Sequence, residues 1–372
     1  MKILHLLTSG GVGGIEVLCK DICLESTFKH IFCFMFGNGA IYEQMKQLKF
    51  NIYSFAKYKK LSLKRLLNIK KIAKECDIII VHHDDPFLEL YYLLLMKILP
   101  RKKYISMVHH CYEPISDKQQ YGFVKLILKK FIIHSIFQNS NFLIFVSHAG
   151  YKSYLTDYQI DQNKVSIIYN GINQEKILRG KKVEKHQNNY KRLIYAGRLV
   201  PLKGVDQLVK VFSILSKSHN IVLDIVGDGT QKRYLETMVQ EMKISDKVTF
   251  YGFQHDISNY LEKADIFVYP SRTEIFGISL VEAMASKCIC IANNVGGIPE
   301  IITNNINGFL NISNSDEELI QKIQQALKVC ENENQRQEMM IQAFSTAEKF
   351  SIKKSVYELE KLCKEIVSDC HD

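Results

Sequence analysis

The chain has 372 residues, 47% of them hydrophobic, with no Trp and only six Pro. This composition excludes a disordered or collagen-like protein, and the length asks for two domains rather than one core. The net charge of +10 is uneven: residues 1–180 hold 25 Lys/Arg against 14 Asp/Glu, and residues 181–372 hold 24 against 25. The excess therefore lies in the N-terminal half and points to a polyanion, either nucleic acid or an anionic membrane surface.

In chain order, short apolar runs alternate with longer amphipathic segments. Strands are expected at 2–7, 30–36, 51–55, 77–82, 103–109, 142–146 and 165–169, with helices such as 14–25, 61–75 and 119–137 between them. The opening run, Met1 to Leu7, is too short for a signal sequence. The longest apolar stretch, Phe87 to Leu99, contains Glu89 and Lys97 and falls short of the ~20 residues that span a bilayer. The rhythm breaks near Asn170-Gly171, and the polar stretch 173–190 reads as a linker. A second series follows, with strands at 192–197, 221–226, 248–252, 265–269 and 288–292 and helices at 204–217, 230–243 and 278–285. Residues 315–368 are helical in pattern, with a break at Phe350-Ser351.

The expected architecture is α/β, with two Rossmann-like domains facing across a cleft. The expected boundaries are 1–172 for the first domain, 173–190 for the linker and 191–350 for the second. Residues 351–372 form a final helix and tail. The ten cysteines have neither zinc-ligand spacing nor a disulfide framework, so they read as small core residues of a cytoplasmic protein.

Three turns carry chemistry. The first, Ser9 to Glu16, contains Gly13 and Gly14 among four glycines and opens a helix. Such a turn permits positive φ and close backbone approach to a ligand, without the spacing of a dinucleotide fingerprint. The second, Gly197-Arg198 to Lys203-Gly204, places two cations on one strand–helix turn, where they can converge on a diphosphate. The third is framed by Glu274 and Glu282, with Phe276, Gly277 and Ile278 between them. It puts a carboxylate on each side of a helix N-terminus, an arrangement suited to a ligand with both phosphates and hydroxyls.

Histidines cluster at two expected strand ends, His82-His83 and His109-His110. Neighbours on a strand point to opposite faces, so His82-His83-Asp84-Asp85 is not a metal site by spacing.

These motifs together resemble glycosyltransferase family 4, retaining enzymes of the GT-B fold. The resemblance rests on Gly197 to Gly204, Val226-Gly227-Asp228-Gly229, Glu274 to Glu282, Gly296-Gly297-Ile298-Pro299-Glu300, Asn170-Gly171 and the Gly13 to Glu16 turn. It implies a last helix that crosses back to the first domain. It also implies that Gly13, Gly14, Gly197, Arg198, Lys203, Glu274, Phe276, Gly277, Ile278 and Glu282 bind a nucleotide-sugar donor. Arg198 and Lys203 would hold the diphosphate, Glu282 the ribose and Glu274 the transferred sugar, with His109 beside the reacting carbon. Glu16, His82 and His110 would lie on the acceptor side.

No metal and no other cofactor is expected, since two cations and a helix dipole act on the leaving diphosphate. The expected donor is a UDP-sugar, with GDP-mannose second. The expected acceptor is a glycan or polyprenyl-linked saccharide of the cell surface. Basic segments at 57–74 and 123–137, interleaved with apolar residues, suggest peripheral binding to an anionic leaflet. Nucleic-acid binding fits less well, because no recognition motif accompanies the charge. Two other readings remain: a nucleotide-sugar 2-epimerase on the same architecture, and an inactive partner of another transferase.

Overall fold

The computed structural model describes residues 1–11, 13–55, 58, 60–110, 114–181 and 189–368, without the side chains of 114–124, 174, 180 and 181. The chain divides into two compact units, Met1–Gly171 joined by Ile352–Asp372, and Ile172–Ser351.

Unit 1 alternates strand and helix in the order β1 (Lys2–Leu7), α1 (Gly14–Glu25), β2 (Lys29–Phe34), α2 (Ala40–Gln47), β3 (Asn51–Ser54), α3 (Leu63–Lys74), β4 (Ile78–His83), α4 (Pro86–Ile98), β5 (Lys103–Val108), α5 (Pro114–Asn139), β6 (Phe142–Phe145), α6 (His148–Leu155) and β7 (Val165–Ile167). The seven strands form one sheet in the order β3-β2-β1-β4-β5-β6-β7, and the pairings are parallel. Helices cover the sheet, so its central strands are buried on both faces: Ile78 to Val81 are wholly inaccessible.

Unit 2 begins with α7 (Gln174–Lys181) and continues through β8 (Lys191–Ala196), α8 (Val205–Leu215), β9 (Ile221–Val226), α9 (Lys232–Glu241), β10 (Val248–Gly252), α10 (Ser258–Lys263), β11 (Ile266–Tyr269), α11 (Ile278–Ala285), β12 (Ile289–Asn293), β13 (Phe309–Asn311), α12 (Asp316–Glu331) and α13 (Glu333–Lys349). Its six parallel strands run β10-β9-β8-β11-β12-β13. At the start of β11, Asp265 accepts from the Arg192 backbone N–H (2.9 Å) and pairs with the buried guanidinium of Arg336 from α13 (3.3 Å). That pair ties the last large helix of the unit to the strand leading into the Glu274 loop.

The final helix, α14 (Ile352–Ser368), belongs to unit 1 and packs on α1. Glu360 on α14 accepts from Ser26 Oγ (2.7 Å) and Thr27 N–H (2.7 Å), and Ser355 Oγ donates to the Tyr169 carbonyl (2.7 Å).

Two expectations need correction. Residues 174–181 of the expected linker are helical: α7 buries Ile177 and sends Lys176 and Arg179 to acidic partners. One buried apolar side chain plus ion pairs is enough once a body lies alongside, although the isolated segment is too polar to show it. Residues 182–188 of that linker and 369–372 of the tail lie outside the described residues. Arg65, counted with the basic surface, is 5% exposed; it lies over the Phe36 and Tyr91 rings and donates to the carbonyls of Tyr58 and Lys60. Lys57 and Lys59 lie outside the described residues.

Candidate active site

The carboxyl edge of the unit 2 sheet is shaped by backbones in close contact. Gly204 has φ +64°, and a Cβ there would stand 2.0 Å from the Pro270 carbonyl oxygen. Gly296 has φ +50°, and a Cβ there would stand 1.7 Å from the carbonyl oxygen of Glu274. Only glycine permits both the conformation and the approach. The first contact seats the Lys203 turn against the end of β11. The second fixes the Glu274 loop, whose carbonyl also accepts from Gly297 N–H (3.1 Å).

On that frame Lys203 Nζ forms an ion pair with Glu274 Oε2, and both side chains are largely buried. Tyr269 donates its hydroxyl to the same carboxylate oxygen (2.5 Å), and the Lys203 ammonium lies 5.5 Å from the Tyr269 ring centroid. Burial, with the nearby Glu274 carboxylate second, pushes the Tyr269 phenol well above its ordinary range, so it stays a donor. Tyr195 stacks on Tyr269 at 6.3 Å and donates to the Arg198 carbonyl (3.0 Å), while the Arg198 side chain is exposed. Arg198 and Lys203 therefore share a turn without sharing a partner.

Gly277, at φ +94°, is the N-cap of α11 and supplies no capping side chain. The first N–H groups of a helix have no intrahelical acceptor, so Gly277 and Ile278 present donors at a positive dipole end. Phe276 is buried edge-on against Phe350 (5.2 Å), which limits it to a backbone role. Glu282, one turn into α11, forms an ion pair with Lys176 of α7. Lys176 thereby joins the candidate site, and the sequence reading missed it. It lies 106 positions away from Glu282 on a segment read as linker, and no local spacing signals it.

The expected unit 1 residues fare differently. None of the described glycines in the first turn has positive φ. Gly10 serves close packing, since a Cβ there would meet Tyr42 Cβ at 2.4 Å, whereas one on Gly13 would meet only the flexible end of Glu16, Oε2 at 2.4 Å. Val12 lies outside the described residues. Gly14 is exposed at the start of α1, and Glu16 folds back over Gly13. His109 is half-buried just past β5, its Nε2 2.9 Å from His82 Nδ1. His110 is also half-buried, with Nε2 2.9 Å from the Tyr154 hydroxyl. His82 is 1% exposed, which corrects its expected place on the acceptor surface: its ring points into the body of the unit, between His5 and His109. His83 points to the opposite face, toward Glu89 (3.1 Å).

His5, Cys19 and His82 stand close enough together to raise the question of a metal. Cys19 Sγ is 3.5 Å from His82 Nε2 and 3.8 Å from Nδ1. A sulfur nearly equidistant from both ring nitrogens lies over the ring, off the in-plane lone pair that a metal ligand uses. The trio therefore does not fit a metal centre. A cavity of about 500 Å³ near Asp206, Lys210, Arg272 and Asp316 contains none of the Glu274–Glu282 residues. Its charges pair internally, Arg272 with Asp206 and Lys210 with Asp316.

A model described as "Glycosyltransferase Family 4" matches residues 12–176, and one described as "Glycosyl transferases group 1" matches residues 177–345. An uncharacterized glycosyltransferase of Methanocaldococcus jannaschii is 32% identical over 178 residues, 45% of each chain. The O-antigen chain mannosyltransferase RfbU of Salmonella typhimurium is 29% identical over 201 residues, 53% of each chain. The chain thus spans about half the length of these two curated relatives. Anabaena HepE, crystallised with UDP and glucose, superposes with a TM-score of 0.81 at 20% identity, covering 98% of this chain and 99% of HepE. With two parallel-sheet units of the GT-B kind and family models that together span residues 12–345, the chain is a member of glycosyltransferase family 4.

Proposed function

We propose that the protein is a retaining hexosyltransferase that takes its sugar from a nucleotide diphosphate and needs no metal. The observation that carries this reading is the Lys203–Glu274–Tyr269 cluster at the N-terminal approach to α11, with Glu282 one turn inside the same helix. In the proposed reaction the bond between the anomeric carbon and the diphosphate oxygen breaks through an oxocarbenium-like state, an acceptor hydroxyl oxygen bonds that carbon on the same face, and its proton passes to the leaving diphosphate. Negative charge grows on the leaving diphosphate, where Arg198, Lys203 and the N–H groups of Gly277 and Ile278 stabilise it. Glu274 accepts hydroxyls of the transferred sugar, and Glu282 accepts those of the ribose in place of the Lys176 ammonium. Gly197 keeps the backbone low beneath the diphosphate, and Gly13 and Gly14 serve the donor from unit 1. His109 meets a sugar hydroxyl, with Glu16 and His110 on the acceptor side.

The donor is a UDP-sugar first, in keeping with the UDP and glucose bound by HepE, and GDP-mannose second, in keeping with the mannosyltransferase relative. The acceptor is a glycan or polyprenyl-linked saccharide in cell-surface polysaccharide synthesis, as the O-antigen role of that relative supports. Isothermal titration with UDP and GDP, followed by a panel of nucleotide sugars with and without glycan acceptor, tests this. Transfer in the presence of a chelator supports the reading. Epimerised donor formed without acceptor establishes the 2-epimerase instead, and absence of nucleotide binding establishes the inactive partner.

A membrane-facing surface belongs to the same proposal. No helix among the described residues is long and apolar enough to cross a membrane. Unit 1 nevertheless exposes Leu63 (72%) and Leu67 on α3 and Ile127, Leu128 and Phe131 on α5, beside Lys64, Lys71, Lys74 and Lys125. Helix α4 packs against both α3 and α5. Apolar side chains among lysines favour peripheral binding to an anionic leaflet on the cytoplasmic side. Flotation with vesicles containing or lacking anionic lipid tests it; equal behaviour in both would count against it.

A further inference from the structure

Four imidazoles cross the unit 1 sheet in one hydrogen-bonded line. His30 lies on β2, His5 on β1, His82 on β4 and His109 just past β5, so each comes from the next strand of the sheet. Register explains how they meet. His30 is level with Ile3, two residues before His5; His5 is level with Ile80, two before His82; His82 is level with Met107, two before His109. Steps of two keep all four rings on one face of the sheet and carry the line diagonally to its carboxyl edge.

The contacts are short. His30 Nδ1 is 2.8 Å from His5 Nε2, His5 Nδ1 is 2.9 Å from His82 Nε2, and His82 Nδ1 is 2.9 Å from His109 Nε2. At the far end His30 Nε2 is 2.8 Å from Ser26 Oγ, which stands 2.7 Å from Glu360 Oε1 on α14.

That end sets a direction. Burial acts to raise the Glu360 carboxyl, but hydrogen bonds from Ser26 and Thr27 more than offset it and hold it below the usual carboxylate range. The carboxylate is an acceptor only, so Ser26 must donate its single proton to it. Ser26 Oγ already accepts from Phe28 N–H (3.1 Å), and its remaining lone pair must accept from His30 Nε2–H. His30 Nδ1 is then bare and accepts from His5 Nε2–H. The same assignment repeats at His82 and at His109. The reverse order would set a hydroxyl lone pair against a carboxylate at 2.7 Å.

Burial holds all four rings neutral, with His30 pushed down to about 4 and His82 to about 3. Neutral rings each carry one proton, which is the condition for a line with a single direction.

We propose that Glu360 and Ser26, through His30, His5 and His82, fix His109 as the Nε2–H tautomer and leave its Nδ1 as a hydrogen-bond acceptor for a substrate hydroxyl. The tautomer follows from unit 1 alone; the hydroxyl rests on the transferase reading. Glu360, Ser26, His30, His5 and His82 are positioning residues in this scheme, and His109 is the group that touches substrate.

The test is nitrogen-15 NMR of the full chain labelled at its histidine rings, with His109 assigned by its loss in His109→Gln. The expected result is an unprotonated Nδ1 and a protonated Nε2 at His109 in the native protein. In Glu360→Leu and Ser26→Ala, each checked for native circular dichroism, the His109 signals move toward a mixture of both tautomers although neither substitution touches that ring. If Glu360→Leu does not fold, Ser26→Ala alone gives the reading. A native His109 protonated at Nδ1, or one whose tautomer ignores both substitutions, overturns the relay. In transfer assays Ser26→Ala is expected to lower kcat about tenfold, the worth of one hydrogen bond, with the KM for nucleotide sugar little changed. A shifted tautomer with unchanged kcat would overturn the hydroxyl assignment alone.

Discussion

The two sheets share a plan and stabilise their interiors with different chemistry. In unit 1 the line of polar groups buried on one face of the sheet consists of neutral imidazoles joined in series. In unit 2 the polar side chains at the sheet's carboxyl edge and on α11 form ion pairs, Lys203 with Glu274 and Lys176 with Glu282, and Arg336 forms a buried pair with Asp265. A neutral hydrogen-bonded line is inexpensive to bury but offers little to a developing anion. Ion pairs carry a desolvation cost, yet on the proposed reading they keep cations in place for a leaving diphosphate. The contrast then reads as a division of labour: in the proposed reaction unit 2 meets charge, and unit 1 meets hydroxyls with neutral groups.

The largest expected effect breaks the unit 2 side of this contrast. Arg336→Ala leaves Asp265 buried and unpaired, and is expected to destabilise unit 2 by about 3–5 kcal/mol. Urea unfolding followed by hydrogen exchange in β8 and β11 reads the loss; a change below about 1 kcal/mol, the range of an exposed pair, would show that the pair carries no such role.

Acid should break the unit 1 side. His30 and His82 have folded values of about 4 and 3, below the unfolded value of 6.5. The unfolded chain therefore takes up protons that the folded chain refuses. The stability these rings contribute is complete above pH ~6.5 and falls as the pH drops toward their folded values. At pH 5 the loss is about 2 kcal/mol for each ring. Amide protection factors, normalised to the intrinsic exchange rate at each pH, should fall in β1, β2 and β4 between pH 7 and 5 more than in β8 and β11, and an equal fall would contradict the contrast.

Next in size are the substitutions at the charged site. Lys203→Ala and Glu274→Ala should each lower turnover by about 10²–10³-fold with native circular dichroism, the scale of one lost electrostatic stabiliser. Near-normal turnover in either variant would remove that residue from the chemistry. The smallest effect sharpens the picture: Lys176→Met frees Glu282 from its competitor and should tighten UDP binding about threefold, an energy in the range of a partly exposed ion pair. Weaker binding in titration would mean that Lys176 itself holds the nucleotide.

Much of this molecule is readable in its sequence, for local reasons. Central parallel strands buried on both faces appear as nearly continuous apolar runs, and the runs at 2–7 and 221–226 coincide with β1 and β9; the run at 248–252 coincides with β10, a partly exposed edge strand. The Glu274–Glu282 motif is legible because its loop and helix are continuous in the chain, and α11 begins and ends at the expected residues. Elements that depend on a partner are not legible. Helix α7 is too polar to announce itself, and β13 has three residues. The imidazole line is invisible for a different reason. His5, His30, His82 and His109 are far apart in sequence, and only strand order and register bring them together. The same holds for Lys176 against Glu282.

The most direct test of the division of labour is a titration of UDP and GDP against the native chain, Lys203→Ala and Ser26→Ala, followed by transfer from the nucleotide sugar that binds. The expected result is nucleotide binding by the native chain, markedly weakened in Lys203→Ala and unchanged in Ser26→Ala, with transfer reduced in both. Nucleotide binding that is indifferent to Lys203, or lost in a folded Ser26→Ala protein, would contradict it.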